Sequence, residues 1–430
     1  MLMLAAAGLL LVAIPGLWVF VSLTATPLHP NPESVPTVMH SGPLPKWAGA
    51  VKQGRQIVRA SVAEQNLPGL SVAIGIDGDI VWAEGFGFAD LKTSAPVTPD
   101  HRFRIGTAST VLTSAAAGLL LQKGRLKLDD EIQTYVPAFP KKQWPVTLRE
   151  LMGHTAGIVP DGSDEGRPFR EHCERPVEAL QYFAENSLLF KPGTQYRYSS
   201  HGWILVSAAV EAAANQPFLT FMREQIFDPL GMRDTIPDPG PDPAAVEGED
   251  FPLFILIREL IYDPEATRDT TPDSTKKPVQ DRVTPYFTRF ASDPNYGMHV
   301  MRLLDYSCYA GARVFVSTPS DLVRFGMAIN SGKLLQPATV ELLQTSERLA
   351  SGEETGYGLG WHVKTVTLAG KQTRVIGHDG DSLGGMVASL MTLPEYGIVV
   401  AVTSNISFAD TFSLAVKIAE AFVEEGRRPR

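Results

Sequence analysis

With 430 residues, 44% of them hydrophobic, the chain has room for one large domain or for two or three smaller ones. A formal net charge of −9 and the lack of a basic stripe exclude nucleic acid as a partner. The two cysteines, Cys173 and Cys308, fit neither a zinc spacing nor a CxxC redox pair, and the nine histidines show no metal-ligand spacing, so no metal and no cofactor are expected. The sequence leaves open whether the cysteines pair in an oxidising compartment or stay as two buried thiols.

Residues 1–28 carry no charged side chain. Roughly 20 apolar residues are enough to span a bilayer as a helix. A cleaved signal peptide would show a basic start and a small-residue cleavage site, and both are missing. The segment is therefore expected to be an uncleaved membrane anchor with the main domain extracytoplasmic; export behind a signal segment is the alternative. Residues 29–46 form a proline-rich linker. An amphipathic helix is predicted over 47–65, and the two apolar runs around Asp77-Gly78 predict a hairpin. "FRIGTAST" (103–110) then opens an almost wholly apolar helix over 107–122.

Helices and loops are predicted from 125 to 345, with helices in "VEALQYFAENSL", "WILVSAAVEAAA", "FLTFMREQIF" and "TPSDLVRFGMAINSG". An irregular insertion at 237–285 interrupts them. Its acidic, proline-rich and polar ends surround "FPLFILIRELIYDP", expected as a short amphipathic helix on a surface loop. Strand patterns return in "TGYGLGWHVKTVTL", "QTRVIGHDG", "MVASLMTLP" and "GIVVAVTSN", and "TFSLAVKIAEAFVEEG" closes the chain as a helix. Strands near both ends with helices between imply an α/β fold of the α+β sandwich kind. An antiparallel sheet from 47–106 and 346–430 is flanked by the N- and C-terminal helices, with a mainly helical domain, 107–345, inserted.

Six segments occur together in a fixed order: "FRIGTAST", "TLRELMGHTAGI" (147–158), "YRYSSHGW" (196–203), "IFDPLGM" (226–232), "STPSDLVRFG" (317–326) and "GHDGDSLGG" (377–385). From about residue 47 to the C-terminus the chain thereby resembles the serine β-lactamase and penicillin-binding superfamily, with class C-like hydrolases nearest. The resemblance implies a nucleophile at a helix N-terminus, where the dipole favours developing negative charge, and a lysine one turn later to help remove its proton. It implies a tyrosine from the second motif as base or relay, and a third motif on a strand that holds the substrate and completes an oxyanion hole.

Carried onto this chain, the nucleophile position is Thr107, the lysine position is Thr110 and the tyrosine is Tyr198. Ser200 stands where the family has asparagine. His378 heads the third motif, and Gly380 and Asp381 follow it, with the N–H groups of Thr107 and Asp381 as oxyanion donors. Thr107 keeps a hydroxyl but adds a methyl and a stiff χ1, and Thr110 supplies neither base nor charge. Tyr198 would need a nearby cation to serve as base, and neither Thr110 nor His378 is a permanent one. His154 is expected to be structural. Gly380-Asp381-Ser382-Leu383-Gly384 matches GxSxG, but strands rather than a helix follow Ser382, which rules out a hydrolase elbow.

Two function classes follow. One is a membrane-anchored hydrolase of ester, amide or peptide bonds, with activity weak or absent. The other is a silent relative that keeps its pocket for binding or assembly; deliberate replacement of the two residues would give the same sequence. Either takes a small acyl, ester or peptide ligand and is compatible with a homo-oligomer.

Overall fold

The computed structural model of the chain describes residues 15–162, 169, 171–240, 282–289, 293–301, 304–382 and 384–427. The expected hairpin joins strands β1 (Gly69–Ile76) and β2 (Asp79–Asp90). Asp77 and Gly78 both take positive φ, 52° and 99°, the two-residue turn whose twist matches antiparallel strands. Four strands come from the other end of the chain: β3 (His362–Leu368), β4 (Lys371–Ser382), β5 (Met386–Leu393) and β6 (Ile398–Ser404). β6 lies against β1, so the main sheet runs Thr37–Val38, β2, β1, β6, β5, β4, β3, with every neighbour antiparallel. Closing it requires Ile398 opposite Ile76 and Ser404 opposite Leu70.

β1, β5 and β6 are buried along their whole length, as strands are when both faces of a sheet are covered. Helix α1 (Ala48–Glu64) packs on one face, placing Val58 and Val62 in a core with Val72, Ile74 and Val400. The opposite face carries α2 (Ser109–Gln122), whose Val111, Leu112 and Ala115 share a second core with Ala388, Leu390 and Ala401. On the same face α4 (Pro319–Asn330) packs directly against β1, β5 and β6, α3 (Ser200–Ala214) lies beyond α2, and the C-terminal α5 (Thr411–Arg427) returns to the α1 face. The layers are those of an α+β sandwich.

Two predicted helices differ. "VEALQYFAENSL" contributes to a 3-10 run, Pro176–Tyr182, in which Pro176, Ala179, Leu180 and Tyr182 are buried. "FLTFMREQIF" begins as an α-helix, Phe218–Met222, and widens into a π turn, Arg223–Phe227, that buries both Ile226 and Phe227.

Cys173 and Cys308 form a disulfide, with Cα atoms 4.9 Å apart across 135 residues of sequence. Of the expected anchor, residues 15–24 are helical, and residues 1–14 lie outside the described residues. Trp18 Nε1 donates to the Tyr296 hydroxyl at 3.2 Å, and Leu28 N donates to Asn66 Oδ1 at 2.7 Å, so this stretch meets the body. No helix among the described residues is long and apolar enough to cross a membrane. The "FPLFILIRELIYDP" segment also lies outside the described residues.

Candidate active site

Thr107 lies in the 3-10 turn Gly106–Ala108 that leads into α2. The first N–H groups of a helical segment have no acceptor within it, so this turn presents backbone donors as well as the Thr107 hydroxyl. Strand β4 passes very close. A Cβ on Gly380 would fall 1.9 Å from the Ile105 carbonyl oxygen and 2.6 Å from Ala108 N, so only glycine fits there. At this edge the Thr107 hydroxyl donates to the Asp379 carbonyl at 3.1 Å. Backbone groups two residues apart in a strand face the same side. The Asp381 N–H is therefore directed to the same edge as the Asp379 carbonyl, beside Thr107, as an oxyanion donor requires.

Tyr198 precedes α3 and turns its hydroxyl toward those of Thr107 and Thr110. Burial pushes the Tyr198 phenol up, and Arg313 and the two threonine hydroxyls pull against it, leaving it at about 12. Neither threonine contact reaches hydrogen-bond geometry: Tyr198 Oη and Thr110 Oγ1 are both buried without a partner. Phenols ordinarily titrate near 10, so even less of Tyr198 is present as phenolate at neutral pH than of a free tyrosine.

Ser200 is held by Asp161. Its N–H donates to Asp161 Oδ1 at 2.9 Å and its hydroxyl to Asp161 Oδ2 at 2.7 Å. A carboxylate in this position satisfies an open N–H at the start of α3 and complements its dipole. Arg313, from the short helix Ala310–Arg313, pairs with Asp161 and donates from Nη2 to the Ser200 hydroxyl at 3.2 Å. Thr110 and His378 supply no permanent cation, as expected of those two positions, but Arg313 acts on the Tyr198 hydroxyl. It comes from a different segment than either position the sequence offered.

His378 is buried and uses both ring nitrogens. Nδ1 lies 2.8 Å from the Asp379 carbonyl, which can only accept, so Nδ1 carries the proton and Nε2 accepts from the Tyr357 hydroxyl at 3.0 Å. The Asp379 carboxylate points away, paired with Lys364 Nζ at 2.9 Å and accepting from the Ser389 hydroxyl. His154, expected to be only structural, sits with its ring centroid 4.1 Å from that of Tyr198, and His362 lies 4.6 Å from His378. His201, by contrast, is core: it stacks on Phe183 at 4.5 Å. Thr107, Thr110, Tyr198 and His378 are therefore brought together, with Gly380 and the Asp381 backbone alongside, and Ser200 lies beneath in the Asp161–Arg313 pair.

A family model described as "Beta-lactamase" matches residues 55–250 and 252–422, nearly the whole body of the chain. The chain belongs to the beta-lactamase family. Among curated relatives it is similar to the serine beta-lactamase-like protein LACTB, mitochondrial, of Homo sapiens, at 26% identity over 87% of this chain and 80% of the relative. Among solved structures it is similar to the octameric penicillin-binding protein homologue from Pyrococcus abyssi, with 22% identity, a TM-score of 0.65, and coverage of 87% of this chain and 77% of that one. It is also similar to the D-amino acid amidase from Ochrobactrum anthropi SV3, with 22% identity, a TM-score of 0.65, and coverage of 88% and 99%. At those identities the solved structures bear on the fold, and the beta-lactamase fold is the one described above.

Sequence reasoning missed Arg313, Asp161, Tyr357 and His362 in this beta-lactamase-family site. Arg313 alone carried a signal, a single charge inside the apolar run "CYAGARVFV". The buried histidines have a measurable consequence. Burial, aided by neighbouring positive or titrating groups, lowers His154 to about 3 and His362 to about 4, and holds His378 well below its usual 6.5. Their folded values lie below their unfolded ones, so the unfolded chain binds more protons once the pH drops below about 6.5. The stability that depends on their being neutral is complete above that pH and is lost as the pH falls toward about 4. Denaturant unfolding across that window should show proton uptake on unfolding, and His154→Gln should reduce it. An unchanged slope in that variant would show that His154 titrates freely in the folded protein.

Proposed function

We propose that this chain keeps a beta-lactamase-family pocket for a small acyl, ester or peptide ligand, and that hydrolysis by it is weak or absent. The observation that carries this is the Thr107 hydroxyl, which donates to the Asp379 carbonyl at 3.1 Å. A carbonyl cannot take up the proton that a nucleophilic hydroxyl must lose. Thr110, at the family's lysine position, offers no base, Tyr198 is held at about 12, and burial makes His154 and His362, at about 3 and about 4, weak proton acceptors. The oxyanion edge and the ligand-facing backbone are nonetheless retained, which favours a binding or assembly role over an abandoned fold. An amide is a reasonable member of the ligand class, since the similar amidase structure is described as complexed with L-phenylalanine amide.

Intact-mass analysis after exposure to p-nitrophenyl acetate and to a β-lactam should show no adduct at Thr107. A labelled Thr107 would instead establish a working threonine nucleophile.

The membrane belongs to the same proposal. The uncharged run 1–28 would hold the protein to a bilayer, with the body on the extracytoplasmic side. The Cys173–Cys308 disulfide supports that side, because disulfides persist in oxidising compartments. Fractionation as a soluble protein with residue 1 intact would rule the anchor out.

A further inference from the structure

Four buried donor atoms in this site make no hydrogen bond among the described residues. Arg313 spends Nη2 on Asp161 and Ser200, while its Nε and Nη1 are buried without partners, as are the hydroxyls of Tyr198 and Thr110. The Arg313 side chain is only 9% exposed. Buried polar groups are ordinarily satisfied, and guanidinium N–H groups left buried and unspent are costly exceptions. The groups are neighbours: Arg313 Nη2 reaches the Ser200 hydroxyl, two residues from Tyr198, at 3.2 Å, and Thr110 and Arg313 both act on the Tyr198 hydroxyl. Among the described residues, Asp161 is the carboxylate paired with Arg313, and it is already engaged by Ser200 as well.

We infer that Arg313, Tyr198 and Thr110 form a binding site for the carboxylate of a small organic acid. The inference deepens the ligand-pocket proposal and rests on it. A lysine at position 110 would make this spot a centre of proton transfer. With threonine there and arginine arriving from the Ala310–Arg313 helix, it holds donors and a fixed cation but no base, the composition of an anion site. A monoanion suits it better than a phosphate, because Asp161 already offsets the guanidinium charge and would repel a dianion more strongly.

The test is reversible binding of sodium butyrate at neutral pH to full-length protein in detergent micelles, followed by calorimetry or ligand-observed NMR. Butyramide and inorganic phosphate serve as comparators. Saturable butyrate binding is expected, weakened about tenfold or more by Arg313→Lys and by Thr110→Val, the loss of one charge-assisted hydrogen bond each. Thr110→Val keeps the side-chain shape, so it decides the matter should Arg313→Lys fail to fold.

Butyrate affinity unchanged in a folded Thr110→Val variant would overturn the site. So would binding of butyramide without butyrate, although the ligand-pocket proposal would stand. Failure of both to bind would overturn the two proposals together. Phosphate competing as well as butyrate would overturn the assignment to a carboxylate.

Discussion

Asp238→Asn should destabilise the fold by about 3–5 kcal/mol, because it leaves two buried guanidinium groups without their shared counter-charge. Arg104 and Asp238 are each 1% exposed and meet through Nε and Oδ2, and Arg282 Nη2 reaches Asp238 Oδ1 at 2.8 Å. Arg104 is held further by the Leu304 carbonyl at 2.8 Å and by stacking over Tyr306 at 4.7 Å. Asp234, paired with Arg102 nearby but 38% exposed, provides the contrast. Asp234→Asn should cost no more than about 1 kcal/mol, as exposed pairs do.

Urea unfolding of the two variants beside the parent measures both. A cost below about 1 kcal/mol for Asp238→Asn would mean that water or a rearranged neighbour takes over the lost charge. The consequence reaches the site as well. Arg104 ends the short strand Phe103–Arg104, three residues before Thr107. The same cluster brings the two flanks of the 237–285 stretch against the segment that sets the nucleophile position.

Local pattern made much of this legible. The Asp77-Gly78 turn, the alternating or continuous apolar runs of β3 to β6, and the unbroken apolar face of α2 each name their element from a dozen residues or fewer. Motif order then made the Thr107, Tyr198 and His378 constellation readable, since each lies at a turn or strand end of distinctive composition. What stayed hidden depends on groups far apart in sequence. Arg313, Asp161 and Ser200 belong to three segments, and no spacing rule links a cation on one helix to a carboxylate that caps another. Whether Cys173 pairs with Cys308 across 135 residues was left open for the same reason. The 3-10 run at Pro176–Tyr182 was missed because short apolar stretches fit periods of 3.0 and 3.6 about equally well.

Thr107→Ser combined with Thr110→Lys should create esterase activity that neither change produces alone. Serine at 107 removes the methyl and frees χ1, so the hydroxyl can leave the Asp379 carbonyl and turn toward the position 110 side chain. Without the lysine it still lacks a base. Lysine at 110 beside Arg313 meets a like charge in a buried setting, and both effects lower an ammonium pKa and favour the neutral amine that can accept a proton. Without the serine, the amine faces a crowded nucleophile whose proton is engaged elsewhere.

A positioned base is worth about 10²–10⁴-fold, and groups acting as a unit are strongly non-additive, so the double variant should far exceed the product of the singles. Hydrolysis of p-nitrophenyl acetate, with burst kinetics reporting an acyl-enzyme, measures it. Tyr198→Phe in the restored background should remove most of the gain if the phenol relays the proton to the leaving group. A folded double variant that stays inert toward a broad ester panel would place the deficit beyond residues 107 and 110. Arg313 would then be the next group to change, because its charge stands beside the tyrosine that the family's chemistry needs.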